Sequence, residues 1–174
     1  MEKTLSSQNI YEGTVLKLRL DEVRLPDGKR TKREVVEHSD AVAVVAVDDS
    51  NNILLLKQFR QPVEEELLEL PAGCVEPDEE ASATVSREMR EETGYKPGNI
   101  KKLGGFYSSP GFCTEYMHVY LATALIEDSL HAEYTDSIEL VRVPLKQIEE
   151  FINSGAIRDA KSIAGLLLYL KSMK

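Results

Sequence analysis

The run AVAVVAV at residues 41–47 constrains the fold more than any other feature of this sequence. A strand with one solvated face alternates apolar and polar residues, whereas a continuous run of small and β-branched residues is typical of a strand buried on both faces. A polar turn at 49–52 follows, and the run ILLLKQF at 53–59 predicts a neighbouring strand. These two runs predict a central sheet that is covered on both sides.

Other segments predict the elements around this pair. TVLKLRLDEVRL at 14–25 alternates along a half-buried strand, Pro26-Asp27-Gly28 predicts a turn, and a strand resumes at 33–37, so the first forty residues predict an antiparallel hairpin. Further strands are predicted at 101–107, 116–125 and 137–143, and helices at 78–93, 145–154 and 159–172. Because the helices are interspersed among more numerous strands, the sequence predicts an α/β domain with a mixed β-sheet.

Composition excludes several classes of protein. The 174 residues are 42% hydrophobic and 29% charged, too apolar for a disordered chain and too charged for a membrane protein. A net charge of −9 argues against a general nucleic-acid binder, which needs basic side chains to neutralise phosphates. Cys74 and Cys113 are too few for a disulfide framework or a zinc site, and the N-terminus has no apolar core of a signal peptide. We expect a cytoplasmic protein.

Carboxylates gather on one side of the helix predicted at 78–93. On a wheel at about 100° per residue, Glu88 and Glu92 lie in line with the apolar stripe of Val85 and Met89. Like charges one turn apart destabilise a helix, and the cost grows when they are desolvated. The pair therefore requires a countercharge.

Two interpretations of this cluster stay open on the wheel alone. Glu91 flanks the carboxylate pair, while Arg87 and Arg90 lie on the far side. Mg²⁺ prefers carboxylate oxygens, so a magnesium site is one interpretation. The other is a solvated acidic helix face with an Arg87–Glu91 ion pair.

The spacing of the whole segment is more specific than the wheel. It reads Gly73, five residues, Glu79, seven residues, Arg87-Glu88-Met89, one residue, Glu91-Glu92, one residue, Gly94-Tyr95. This pattern resembles the Nudix box, a loop–helix–loop that holds metal for hydrolysis of a nucleoside diphosphate linked to another group. It departs from the box only at Tyr95, where an aliphatic residue is preferred. The flanking strands resemble the Nudix αβα sandwich over about residues 40–172.

The resemblance implies a role for each box residue. The implied metal ligands are Glu88, Glu92, Glu91 (as a ligand or as support for a further metal) and the main-chain carbonyl of Ala72. Arg87 would orient the carboxylates, and Glu79 would support the loop. Mg²⁺, with Mn²⁺ as a possible substitute, would neutralise the diphosphate and activate water.

Segments outside the box resemble the ADP-ribose pyrophosphatase branch of this family. They are KQFRQPVEEELLELPAG at 57–73, SSPGFCTE at 108–115 with Pro110 fifteen residues after Tyr95, and REVVEH at 33–38. Many members exchange the N-terminal hairpin across a homodimer. The implied substrate contacts are Arg60, Ser109, Gly111 and Glu115, with Arg33, Glu34 and His38 reaching across from the dimer mate. Each of these also has a plain interpretation as a strand-end, solvent-facing or turn residue.

The general base is expected outside the box. In this branch a loop glutamate before the last strand often activates the water, and the alignment of 138–140 with that strand places Asp136 there. Asp is one methylene shorter than Glu, so its carboxylate reaches less far toward a metal-bound water. Glu133, Glu139 and Glu115 are the alternatives.

These residues predict a homodimeric, Mg²⁺-dependent Nudix hydrolase that cleaves ADP-ribose to AMP and ribose 5-phosphate. Residues 1–39 would form the N-terminal β-hairpin region for dimerisation, and residues 40–174 the hydrolase domain. The alternatives are a pyrophosphatase for another nucleotide sugar or dinucleotide, and a nucleotide-sensing Nudix domain without activity. Residues 64–92 hold eleven acidic and two basic side chains. The excess negative charge of the chain is therefore concentrated in the segment where bound divalent cations can reverse the sign of the local charge.

Overall fold

The computed structural model describes residues 1–132, 135 and 137–173, and the chain divides into two compact units. The first unit consists of residues 1–40 and 107–116. The second consists of residues 41–106 and of residue 117 onwards. The segment 107–116 therefore groups with the N-terminal strands, although it lies far from them along the chain.

Three antiparallel strands form the sheet of the first unit, in the order β1 (Lys3–Glu12), β2 (Lys17–Arg24) and β3 (Arg30–Glu37). The predicted hairpin is confirmed by β2 and β3, and its turn includes Gly28 at a φ of +87°. β1 adds a third strand that the hairpin prediction does not include. Its sequence KTLSSQNIYE is nearly all exposed and lacks the apolar alternation that marks a half-buried strand.

Seven strands form the mixed sheet of the second unit. They are β4 (Ala41–Val47), β5 (Asn52–Arg60), β6 (Glu65–Glu69), β7 (Ala72–Cys74), β8 (Tyr95–Tyr107), β9 (Tyr116–Glu127) and β10 (Glu139–Pro144). The main order is β10-β5-β4-β9-β8, with β6 paired to β5 and β7 paired to β4. Since β4 runs parallel to β9 and antiparallel to β5, the predicted mixed sheet is confirmed.

The helices of the second unit are α1 (Ala81–Glu88), α2 (Ile148–Asn153) and α3 (Ala160–Ser172). All seven residues of β4 are buried, as the apolar run predicts. Val45 packs in a cluster with Leu166 of α3, and Val44 packs in a second cluster with Val85 of α1. Because adjacent strand residues point to opposite faces, the sheet lies between helices, which confirms the αβα arrangement. None of the helices in the described ranges is long and apolar enough to cross a membrane.

β4 and β5 are paired over only part of their length, and the candidate site begins where they separate. β4 pairs with β5 only at residues 46–47, and it pairs with β7 at residues 41–43. The segment 69–74 fills the gap between the two strands, where the N–H of Val44 donates to the carbonyl of Pro71 at 2.9 Å. The loop–helix pattern that begins at Gly73 therefore starts from the centre of the sheet.

Candidate active site

Polar contacts fix the loop that leads into α1. Asp78 has a left-handed backbone with φ +64°, and Glu80, which precedes α1, is extended with φ −77° and ψ 137°. Neither conformation continues a helix, so α1 begins three residues later than predicted. The carboxylate of Glu79 accepts hydrogen bonds from the N–H of Glu76 at 3.2 Å and from the hydroxyl of Thr84 at 2.8 Å. These bonds tie the loop to the first turn of the helix.

The helix changes its geometry in the middle of the carboxylate cluster. α1 ends at Glu88, and Met89–Thr93 continue as a π-helical turn that stops at Gly94, where φ is +77°. The predicted helix stop at this glycine is confirmed. Hydrogen bonds in a π turn close five residues apart, and such turns are frequent at functional sites. A wheel at 100° per residue therefore does not describe the directions of Glu91 and Glu92.

Glu88 lies directly against the glycine that opens the box. Its side chain is only 6% exposed, and a Cβ atom added to Gly73 would lie 2.0 Å from the Glu88 carboxyl carbon. A side chain at position 73 would therefore displace the carboxylate. The close approach gives a physical reason for the glycine: the loop and the helix form a cradle around a buried carboxylate.

Arg87 is a countercharge within the cluster. Its guanidinium contacts Glu88 at 2.6 Å and Glu79 at 3.1 Å. A longer contact of 3.4 Å joins it to Glu91, so the ion pair of the second interpretation is present. The wheel places Arg87 on the far side of the helix from Glu88, but a long side chain carries its charge far from the direction of its Cα. Although burial lowers the pKa of Arg87, Glu79 and Glu88 raise it above its ordinary value.

Glu92 is held against β7. Its carboxylate accepts a hydrogen bond from the N–H of Ala72 at 2.9 Å. Burial raises the pKa of Glu92 to about 8, and the charge of Glu88 acts in the same direction, whereas the Ala72 bond and the cations Arg60 and Lys161 oppose the rise. A carboxylate whose charged form is disfavoured by burial is one that a bound cation would stabilise.

The chemistry of this donor set fits a hard divalent cation. Glu88, Glu91 and Glu92 supply the carboxylate oxygens that Mg²⁺ prefers, and the glycine cradle leaves room for one of them. In the part of the chain that the structure describes, no three His, Cys, Asp or Glu side chains already converge on a metal position. Arg87 and the N–H of Ala72 hold carboxylate oxygens that a cation would compete for. The ligand roles, including that of the Ala72 carbonyl, stay predictions.

Arg60, the predicted contact for the diphosphate or ribose of the substrate, lies at the end of β5, where a carboxylate binds it. Its Nε and Nη2 atoms each donate to Glu69 at 2.7 Å. Glu69 is 1% exposed, and Lys161 of α3 binds the same carboxylate. Burial raises the pKa of Glu69, but the two cations outweigh it and hold that pKa below its ordinary value. The pKa of Arg60 is raised by Glu69 and, less strongly, by Glu92, so Arg60 lies in the field of the candidate ligands.

The first unit holds the other predicted substrate contacts. Arg33 and Glu34 lie exposed on β3. The guanidinium of Arg33 makes two bonds with the carboxylate of Glu2, at 2.7 and 3.2 Å. The sequence did not predict this partner, because Glu2 directly precedes β1 and that strand carries no signal in the sequence.

The segment 107–116 is joined to the end of β3 within that unit. The N–H of Val36 donates to the carbonyl of Phe112 at 2.7 Å. Thr114 and His38 exchange two hydrogen bonds, of 3.0 and 3.1 Å. The Nδ1 atom of His38 lies 3.4 Å from the carboxylate of Glu115. Two predicted substrate contacts from distant parts of the sequence are therefore brought together.

Ser109 and Gly111 belong to a tight turn in the same segment. The carbonyl of Ser109 accepts hydrogen bonds from the N–H groups of Phe112 and Cys113, at 3.1 and 2.9 Å. A Cβ added to Gly111 would meet no atom within 4 Å, so packing does not require glycine there. Both residues' contacts with substrate stay predictions.

The candidates for general base are spread over different places. Asp136, the predicted base, and Glu133 lie outside the described residues. Glu139 is exposed on β10, where it pairs in register with Lys57, and Glu115 lies in the first unit. The base assignment stays a prediction.

Sequence reasoning missed Glu69 and Lys161, which join Arg60 to α3. A signal was available for the first of them: Glu69 interrupts the apolar run Leu67, Leu68, Leu70, and a charged residue that is buried within such a run must be paired. Lys161 has no comparable signal, because its partner is distant in sequence.

Comparison with protein families matches residues 37–166 to the NUDIX domain and residues 2–36 to the nucleoside diphosphate sugar hydrolase N-terminal domain. The "ADP-ribose pyrophosphatase" of Bacillus subtilis (strain 168) is 41% identical over 163 residues, which cover 92% of this chain and 88% of that protein. The "Methanol dehydrogenase activator" of Bacillus methanolicus is 37% identical, with 93% and 89% covered.

A solved structure shares the fold of this chain. It is described as the crystal structure of an ADP compounds hydrolase, and it superposes with a TM-score of 0.90 over 99% of this chain and 94% of its own. The sequence identity is 19%, so the likeness concerns the fold. The prediction of a Nudix fold is confirmed by these matches.

Proposed function

Because this chain belongs to the Nudix hydrolase family, we propose that it hydrolyses ADP-ribose to AMP and ribose 5-phosphate. One water molecule is added across the P–O–P linkage, so each product carries one of the two phosphorus atoms. The observation that carries the proposal is the pair Glu88 and Glu91 on Arg87 beside the glycine cradle, with Glu92 in the electrostatic field of Glu88. The substrate is supported by the 41% identity to an ADP-ribose pyrophosphatase over most of both chains.

Nudix hydrolases work with divalent metal ions, and for this chain we propose Mg²⁺, with Mn²⁺ able to replace it. Glu88, Glu91, Glu92 and the carbonyl of Ala72 would hold the metal. When bound, it would neutralise the diphosphate and lower the pKa of a water molecule. Hard oxygen donors, with no thiol or imidazole among them, support this choice of ion.

The protein groups have separate tasks in this proposal. Arg87 holds the carboxylates of Glu79 and Glu88 in place through its own fixed charge. Arg60 binds a diphosphate oxygen with the guanidinium hydrogens that Glu69 does not use. Asp136 accepts a proton from the attacking water, as the general base.

We also propose that the chain acts as a homodimer in which the N-terminal unit contributes Arg33, Glu34 and His38 to the substrate site of the mate. Support comes from β1, an edge strand that is exposed along nearly its whole length and carries Ile10 and Tyr11 in solvent. Such an edge is a template for pairing with a second chain. Analytical ultracentrifugation tests this: a sedimenting mass of one chain at micromolar concentration would contradict it.

A cytoplasmic location is supported by the two cysteines, Cys74 and Cys113, which do not form a disulfide with each other. Proteins of reducing compartments rarely contain disulfides. Fractionation of cells that express the protein at its natural level tests this location.

A substrate panel tests the proposed activity. The purified protein is incubated with ADP-ribose, ADP-glucose, GDP-mannose and diadenosine polyphosphates, each with Mg²⁺ and each with EDTA. We expect the highest kcat/KM for ADP-ribose and no turnover with EDTA. Preference for a hexose would replace the substrate but keep the enzyme class, whereas no turnover of any compound would favour the nucleotide-sensing alternative.

A further inference from the structure

The guanidinium of Arg60 does not bind the carboxylate that lies opposite it in the strand register. In the β5–β6 ladder Arg60 pairs with Glu65, and Glu69 pairs with Leu56 at the other end. Glu65 would be the nearest cross-strand carboxylate, but it is bound by Arg158 instead. Arg60 reaches back along the same face of the sheet to Glu69.

The contact with Glu69 fixes the orientation of the guanidinium. Two parallel hydrogen bonds of 2.7 Å use Nε and Nη2 of Arg60 and both carboxylate oxygens, which is the strongest and most directional geometry for this pair. The Glu69 side chain is 1% exposed, whereas that of Arg60 is 41% exposed. The carboxylate is thus the buried anchor, and the opposite edge of the guanidinium is left for solvent or a ligand.

The anchor is itself tied to the N-terminus of α3. Lys161 binds the Glu69 carboxylate and lies 3.1 Å from Asp159. Asp159 caps α3 by accepting the N–H of Ser162 at 2.9 Å, and the Ser162 hydroxyl accepts the N–H of Leu70 at 2.7 Å. The end of β6 is therefore joined to the helix by two connections, one through the side chain of Glu69 and one through the N–H of Leu70.

This network lies next to the candidate metal ligands in the chain and in the sheet. Three residues after Glu69, the N–H of Ala72 binds Glu92. A buried carboxylate with two cations is an expensive way to stabilise a sheet, since an apolar residue of similar volume is often as good. Leu56, its register partner on the same face of the sheet, is fully buried, so the position of Glu69 is compatible with an apolar interior.

We propose that Glu69 and Lys161 are positioning residues: they hold Arg60 so that the free edge of its guanidinium binds the diphosphate of the substrate. The inference rests on the proposed function for the identity of the ligand. Glu69 touches no substrate atom in this arrangement and acts only through Arg60. Lys161 acts one step further back, because it fixes the carboxylate and not the guanidinium.

A double-mutant cycle on binding tests this inference without requiring turnover. The Kd for ADP is measured by calorimetry with Mg²⁺ present, for the wild type, Glu69→Gln, Arg60→Lys and the double variant. Arg60→Lys keeps the charge but lacks the planar fork. Either single variant should raise Kd by roughly tenfold, as expected for loss of an oriented charge-assisted bond. The double variant should be no weaker than Arg60→Lys alone.

Glu66→Gln is the matched control. It is the same substitution on the same strand, and its ion pair with Lys57 of β5 is exposed, so Kd should stay within about twofold of wild type. With ADP-ribose as substrate, Glu69→Gln should raise KM more than it lowers kcat, because it weakens binding and not the chemical step.

A second variant covers the case in which Glu69→Gln does not fold. Lys161→Met keeps the Arg60–Glu69 bonds but releases the carboxylate from α3, and it should raise Kd by roughly threefold. Unchanged Kd in the folded variants, with only a lower Tm, would overturn the inference, and so would effects that add in the double variant. Wild type that binds no ADP would overturn it as well. Wild type that binds ADP but cleaves no compound of the panel would contradict the proposed function alone, and the cycle would still decide the inference.

Discussion

Gly73→Ala separates the folding role of the site from its chemical role. The new Cβ would lie 2.0 Å from the Glu88 carboxyl carbon, and real Cβ contacts essentially never fall below 3.0 Å. The carboxylate must therefore retreat by at least about 1 Å. The obstacle is the far end of a flexible side chain and not backbone, so the fold can absorb the change by rotating Glu88.

The cost should fall on catalysis more than on stability. Active-site groups must be held to within about 0.5 Å, and a displacement near 1 Å costs about 100-fold in rate. We expect kcat for ADP-ribose to fall by about 100-fold or more. The loss of stability should be of order 1 kcal/mol, which lowers Tm by about 2–4 °C in a domain of this size.

The assay is the initial rate of AMP release with saturating Mg²⁺, beside a thermal unfolding curve for the same sample. Gly104→Ala is the control, because its new Cβ would meet only Leu168 at an ordinary distance of 3.5 Å. That variant should retain its kcat. A Gly73→Ala protein with near-wild-type kcat would refute the reasoning, since the Glu88 carboxylate would then not need its present position.

Three further predictions follow from the same contacts. Glu92→Gln removes a proposed ligand and should lower kcat by at least about 100-fold with little change in Tm. The control Glu80→Gln changes an exposed residue in the same segment and should leave kcat unchanged. Equal rates in the two variants would contradict the ligand assignment. The pKa of Glu69 is lowered from its ordinary value of 4.5, so its contribution to stability is present above that value and lost as pH falls below it. Urea unfolding should therefore show a smaller acid-induced loss of unfolding free energy in Glu69→Gln than in wild type. Tyr95→Phe removes the hydroxyl that accepts a 2.8 Å hydrogen bond from Arg142. This change should lower the unfolding free energy by about 0.5–1 kcal/mol and leave kcat unchanged. Chemical denaturation and a rate assay on one sample can check both expectations.

The central sheet could be predicted from the sequence because burial on both faces leaves a strong pattern. The run at 41–47 forms β4 with the same bounds. β1 and β7 could not be predicted in this way: β1 is exposed and polar, and β7 is only three residues long and depends on its pairing with β4. Their strand conformation comes from the partner and not from the local sequence.

The candidate site shows the same division. The spacing from Gly73 to Gly94 predicts a loop, a helix and a stop, and the structure places these elements in that order. A wheel could not place Arg87 among the carboxylates, because it ignores side-chain length and the change from α to π geometry. Contacts such as Glu69 with Lys161 join residues 92 positions apart, and no local pattern encodes them.

Product analysis on a single sample tests the central claim most directly. Wild-type protein is incubated with ADP-ribose and Mg²⁺, and the mixture is resolved by liquid chromatography with mass detection over time. The account predicts AMP and ribose 5-phosphate in equal amounts, one of each for every ADP-ribose consumed, and no products when EDTA replaces Mg²⁺. ADP-ribose that remains intact with Mg²⁺, or products that form at the same rate with EDTA, would contradict it.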